Sequence, residues 1–271
     1  MDFMRAYATA AIAINSQAVS TTVRNRVRSS GIIAIVTLSF SMFLHAAEPP
    51  ANLAKRVAHR ESETAAERSQ YAYTQSVKLN EMPGGKASLG GEYRELREVV
   101  FSPSGDRTDR IIGEPVNNLK NLILTEEDFD DFRNIQPFVM TEDQLWNYES
   151  KYKGEERIEG VECWVLSVKP RQILSGQRLF EGLLWINQAD FSVVRSEGQA
   201  VPQIRTGKQE NLFLRFTTVR RRVNGFWFPA MTYADDTLHF RTGPIREKLI
   251  IRYNDYKKFG SETKIVFEDP K

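Results

Sequence analysis

A long succession of strand-like segments joined by short turns constrains this chain more than any other feature. Residues 148–158 run through Glu159-Gly160 into 161–168, and Pro170 ends that strand. Segments 179–186 and 191–198 flank the turn-like Asn187-Gln188-Ala189-Asp190. Segments 212–223 and 226–233 flank Asn224-Gly225. Asn-Gly is the strongest short hairpin signal, because both residues tolerate the positive φ that a tight turn between right-twisted strands needs. In 245–253, Ile245, Leu249, Ile251 and Tyr253 fall on one face, and Arg246, Lys248 and Arg252 on the other. Strict alternation of this kind is the mark of a strand with one buried and one wetted face.

The stretch before residue 148 mixes both kinds of structure. Residues 52–69 are rich in Ala, Glu, Arg and Lys, with Leu53, Val57 and the alanines as a thin apolar stripe. These are good helix formers, and so narrow a stripe predicts a helix lying over something rather than inside it. Tyr71, Tyr73, Val77 and Leu79 then alternate with polar residues, and Pro83-Gly84-Gly85 turns the chain. Residues 92–101 form a second strand with Tyr93, Val99 and Phe101 on one face, and 102–106 make a Pro- and Gly-containing turn into a short strand at 108–112. Thr125 ahead of an acidic run, and Thr141-x-x-Gln144, are helix-start signals. They predict short helices over 126–133 and 142–146, separated by an apolar, Pro-interrupted excursion at 135–140. The whole gives about nine to eleven strands in an antiparallel sheet that curls into a barrel or half-barrel. The class is mainly β (α+β).

The N-terminal segment points to export. Arg24, Arg26 and Arg28 precede an apolar run at 31–44, followed by small residues and Glu48-Pro49-Pro50. This is the layout of a secretory signal within a long leader, residues 1–47, and the run is shorter than the ~20 residues that span a bilayer. The alternative is a segment retained as an anchor. No cysteine stands at the cleavage point to carry lipid; the single cysteine, Cys163, lies deep in the chain and can form no internal disulfide. The expected mature protein is therefore a periplasmic domain spanning 48–271. The full chain carries a formal charge of +2, and removing the leader's four arginines and one aspartate brings it to about −1. No clustered basic face signals nucleic acid.

Motifs for chemistry are missing. There is no His-x-x-x-His, Cys-x-x-Cys or Gly-x-Ser-x-Gly spacing, no P-loop and no dinucleotide fingerprint. Asp235-Asp236-x-x-His239 reads as a strand end and a strand face rather than a metal site, because a third ligand is wanting. The expectation is no catalytic residue, no metal and no cofactor: a binding protein rather than an enzyme. Large apolar side chains abound instead, including Trp164, Trp185, Trp227, Phe180, Phe213, Phe216, Phe226 and Phe228. Segments 179–186 and 226–233 are largely apolar on both faces, so each face should be covered.

The runs GEYRELREVVFSPSGDRT, DDFRNIQPFVMT, FEGLLWINQADFSVVRSEG and NLFLRFTTVRRRVNGFWFPAMTYADDTLHFR lie between residues 91 and 241. With the opening helix, the Tyr-x-Tyr first strand and the missing lipid-attachment cysteine, they resemble the LolA/LolB-like superfamily of outer-membrane lipoprotein-sorting proteins. The likeness is to exported bacterial members of acidobacterial type. The resemblance implies an unclosed half-barrel with helices against its concave face, and an apolar hollow that accepts lipid or lipoprotein acyl chains. It further implies envelope transport, or a sensor or scaffold of the same fold that binds an envelope protein partner. Alternation places Tyr71, Tyr73, Val77, Leu79, Val99, Phe101, Leu249 and Ile251 on one sheet face. Those eight are the expected lining of the hollow.

Overall fold

Period-two alternation becomes one dominant sheet in the structure, a computed structural model that describes residues 49–83, 90–102, 106–135, 137, 138, 140–205 and 210–259. In chain order the elements are α1 (Leu53–Arg68), β1 (Tyr71–Pro83), β2 (Glu92–Phe101), β3 (Arg107–Ile111), β4 (Val116–Asn117) and α2 (Glu126–Asp130). There follow β5 (Tyr148–Ile158), β6 (Val161–Pro170), β7 (Leu179–Asn187), β8 (Val193–Val201), β9 (Ile204–Arg205) and β10 (Glu210–Asn211). The chain closes with β11 (Phe216–Val223), β12 (Phe226–Phe240) and β13 (Gly243–Lys258). The expected export segment and the turns at 84–85 and 103–105 fall outside the described residues.

The sheet is antiparallel, in the order β3-β2-β1-β13-β12-β11-β8-β7-β6-β5, with β4 also pairing β2; β9 and β10 make a separate ribbon. Its edge strands, β3 and β5, do not pair with each other, so the sheet is an unclosed half-barrel. Asn224 and Gly225 both have positive φ, 48° and 88°, and join β11 to β12 as a tight hairpin.

Helices cover the concave face. Leu53, Val57, Ala58, Glu61 and Thr64 are the buried positions of α1, a one-sided stripe at helical spacing. Leu53 and Val57 join one core with inward residues of nearly every long strand. Glu61, within this stripe, meets Arg220 of β11 at 2.9 Å, with side chains 0% and 1% exposed. A second, small cluster on the outer face holds Cys163, Val165, Trp185 and Val194. No second layer covers it among the described residues; Arg195 lies 4.6 Å over the Trp185 ring and shields it instead.

Two expected elements differ. The helix expected at 126–133 is α2 continuing into a π-helical turn, Asp131–Ile135. The helix expected at 142–146 is a hydrogen-bonded turn followed by a single 3-10 turn, Leu145–Asn147. There the Thr141 hydroxyl bonds the Asp143 carboxylate, so the capping-box pattern folds onto itself and starts no helix.

Candidate ligand-binding floor and mouth

The eight residues expected to line the hollow do share the inner face. Val77 is opposite Ile251, Leu79 opposite Leu249, and Tyr73 opposite Val99. Cross-strand neighbours of this kind make apolar patches of floor, interrupted on β2 where buried Glu95 stands opposite Val77 and buried Arg97 opposite Gln75. Tyr71 sits at one end, packed edge-on to Phe228 at 5.2 Å and taking a hydrogen bond from Asn224 at 2.6 Å. Seven of the eight are at most 3% exposed beneath the covering elements. Phe101 differs: it is half-buried and reaches a cavity.

The same face carries polar side chains that the alternation passed over. The inward series of β1 reads Tyr71, Tyr73, Gln75, Val77, Leu79, Glu81, and two of the six are polar. Each holds a covering segment. Gln75 donates to the Phe132 carbonyl at 3.1 Å and accepts from Arg107 at 3.0 Å. Glu81 accepts from the backbone N–H groups of Asn121 and Leu122 at 3.0 and 2.9 Å, and from that of Lys120. Arg107 also donates to the Arg133 carbonyl at 2.6 Å, and Arg178 pairs with the buried Asp131. The segment over the sheet is thus fastened by discrete polar bonds as well as by packing.

Where the two sheet edges fail to meet, a cavity of about 420 Å³ opens. Phe101 of β2 and Arg107 of β3 supply one side of it, and Tyr148 of β5 and Leu179 of β7 the other. Arg68 ends α1 above it, and Arg133, Ile135, Pro137 and Phe138 come from the covering segment. Phe138 stacks on Phe180 of the floor at 4.6 Å, separating mouth from core. Phe180 in turn occupies the space left by Gly182 and Gly198. A Cβ on either glycine would fall within 2.7 Å of its ring and closer still to backbone oxygen.

Electrostatics differ around this surface. Burial raises the Asp109 carboxyl, but Arg107 and Arg97 outweigh it and hold the group below its ordinary range. Burial pushes Asp131 up to about 6 despite Arg178. On the far side, burial, with Asp128, Glu81 and Asp236 close by, pushes Glu247 up to about 8. Cys163 is a poor nucleophile here, because burial and the nearby Glu156 and Glu162 push its thiol up to about 11. Asp235 is taken up by Arg246 at 2.6 Å and Lys248 at 3.2 Å. Among the described residues no three His, Cys, Asp or Glu side chains are grouped to hold a metal ion.

No family model and no curated sequence matches the chain. Among solved structures it is similar to a DUF1329 family protein from Desulfovibrio piger, at 14% identity over 82% of this chain and 98% of that one, with a TM-score of 0.41. It is also similar to a LolA superfamily protein from Nitrosomonas europaea, at 14% identity, 78% and 99% coverage and a TM-score of 0.30. A third similar structure is the MucA/MucB complex of Pseudomonas aeruginosa, at 11% identity, 72% and 93% coverage and a TM-score of 0.21.

Proposed function

We propose that this protein is a non-enzymatic binding protein of the bacterial envelope that shelters lipid or lipoprotein acyl chains on their way to the outer membrane. The observation that carries this reading is the position of the cavity. It lies in the seam between the unpaired edges of the half-barrel, has Phe101, Phe138, Tyr148 and Leu179 in its lining, and abuts the apolar floor. An acyl chain enters by displacing Phe138 and the covering segment, then lies against Tyr73, Val77, Leu79, Val99, Leu249 and Ile251, with Tyr71 at the end. Removing apolar surface from water gains about 25 cal/mol per Å², and no bond is made or broken. The polar bonds that fasten the segment can be exchanged for bonds to water, so opening costs less than parting an all-apolar interface.

Mass spectrometry of organic extracts from the purified protein tests this. Lipid or fatty acid near one equivalent is the expected result. A lipid-free protein that also takes up no added fatty acid would overturn it.

A scaffold that binds an envelope protein is the second reading. It is favoured by Trp146, 72% exposed beside edge strand β5, and by Ile123 at 89%. Apolar side chains so exposed, Trp146 of them at an unpaired strand edge, suit a protein partner.

A further inference from the structure

We propose that the mouth of the half-barrel binds the anionic head, a phosphate or carboxylate, of an amphiphile whose apolar part enters the cavity. This rests on the acyl-chain reading above and adds the chemical class of the ligand. Four guanidinium groups, Arg68, Arg107, Arg133 and Arg178, line this one cavity, and no Asp or Glu is among its lining residues. Their partners stand behind them. Arg107 is held by Asp109 at 2.6 Å, Arg133 by Asp130 at 2.8 Å, and Arg178 by Asp131. Arg107 and Arg178 are fixed further by backbone carbonyls, of Arg133 and Pro202, each at 2.6 Å.

Arg68 is the exception. Its Nε is buried and has no hydrogen-bond partner among the described residues. A buried donor left without an acceptor is costly, and a guanidinium satisfies that need best with a planar or tetrahedral oxyanion. Asp109 also pairs with Arg97, which has Glu95 as its own partner, so three of the four cavity arginines are matched and no ion pair among the described residues reaches Arg68. Phe101, Ile135, Phe138 and Leu179 supply the apolar part of the lining, beside the uncharged polar Asn134, Gln144 and Asn147. Guanidinium groups and apolar side chains around one cavity match a ligand with an oxyanion at one end and hydrocarbon at the other. Inorganic phosphate would satisfy the rim alone.

Calorimetric titration of the purified protein with decyl phosphate, decanol and inorganic phosphate separates the sources. We expect decyl phosphate to bind about tenfold or more tightly than either of the others, the scale of a charge-assisted bidentate contact. Arg68→Ala should shrink the ratio of phosphate to alcohol affinity about tenfold, and added salt should erode it. Arg133→Gln, at a more exposed guanidinium, gives the same direction should the first variant fold poorly. Decanol binding as tightly as decyl phosphate would overturn the head-group proposal and leave the acyl reading standing. Inorganic phosphate binding as tightly as decyl phosphate would overturn the amphiphile in both. Absence of binding by all three would overturn both as well.

Discussion

The floor under α1 and the mouth between β3 and β5 belong to one concave surface, yet they are built by different chemistry. The floor is mainly apolar side chains in cross-strand register, at most a few per cent exposed, with buried Gln75, Glu81 and Glu247 among them and the Glu61–Arg220 pair fixing the helix over it. The mouth is lined by guanidinium groups and apolar side chains around open space. A floor of this kind resists opening, because each buried apolar contact is lost in full when the layers part. A polar rim opens at smaller cost, since its bonds can pass to water or to a ligand. The acyl-chain reading therefore needs the covering segment at Phe132 and Phe138 to open rather than α1, with the bond from Arg220 to the Phe138 carbonyl at 2.6 Å given up.

Cutting the floor's anchor should have the largest effect. Glu61→Ala leaves Arg220 buried without its carboxylate and should cost about 3–5 kcal/mol in denaturant unfolding. A cost below about 1 kcal/mol would mean that α1 is held no more firmly than the mouth segment.

Val77→Trp comes next. In a fully packed floor it should cost about 1–3 kcal/mol by overpacking. If the floor opens to admit acyl chains, the variant should also lose fluorescent fatty-acid binding. A stable variant with unchanged binding would remove Val77 from the path.

The third contrast is in pH. Glu247 lies on the inner face of β13, facing Glu81 of β1, Asp128 of α2 and Asp236 of β12, and its folded pKa is raised from 4.5 to about 8. A raised carboxyl favours the folded state most when protonated. The stability it contributes is therefore complete below about pH 4.5 and is lost as the pH rises through about 8. Glu247→Gln should match wild type at pH 4 and exceed it by about 2 kcal/mol at pH 9, as read from thermal melts at both pH values. Equal pH profiles for the two proteins would show that the group does not titrate there.

The smallest effect lies outside both regions. Gly225 has φ 88° and open space where a Cβ would point, so Gly225→Ala should cost about 1 kcal/mol through backbone strain alone. Ligand affinity should not change. A larger loss would mean that the hairpin supports the floor through its contact with Arg60, which donates to the Gly225 carbonyl at 3.3 Å.

Much of the floor was legible in the sequence. Strands β2 and β5 begin and end where alternation and turn residues place them, and the predicted inward residues oppose one another in register. Alternation fails where the backbone departs from period two. β13 continues to Lys258, past an irregularity at Asp255, whose φ is 56°, and no side-chain pattern announces it. Phe191, read as the start of a strand, sits instead at φ 60° in a turn, with its N–H bonded to the Asn187 carbonyl. Gln75 and Glu81 could have been found, since they occupy inward positions of a legible strand. The mouth could not. Arg68, Arg107, Arg133 and Arg178 are dozens of residues apart, each ordinary in its own segment, and only the strand order brings them to one seam.

Locating a bound chain decides whether the mouth between β3 and β5 is the binding site. Irradiating the purified protein with a photoactivatable fatty acid and mapping the modified peptides would show which surface holds it. Labels are expected on Phe101, Phe138, Tyr148 and Leu179 at the mouth, with Val77 or Leu249 reached by longer chains. Labels confined to the outer-face patch around Trp185 and Leu183 would contradict that placement.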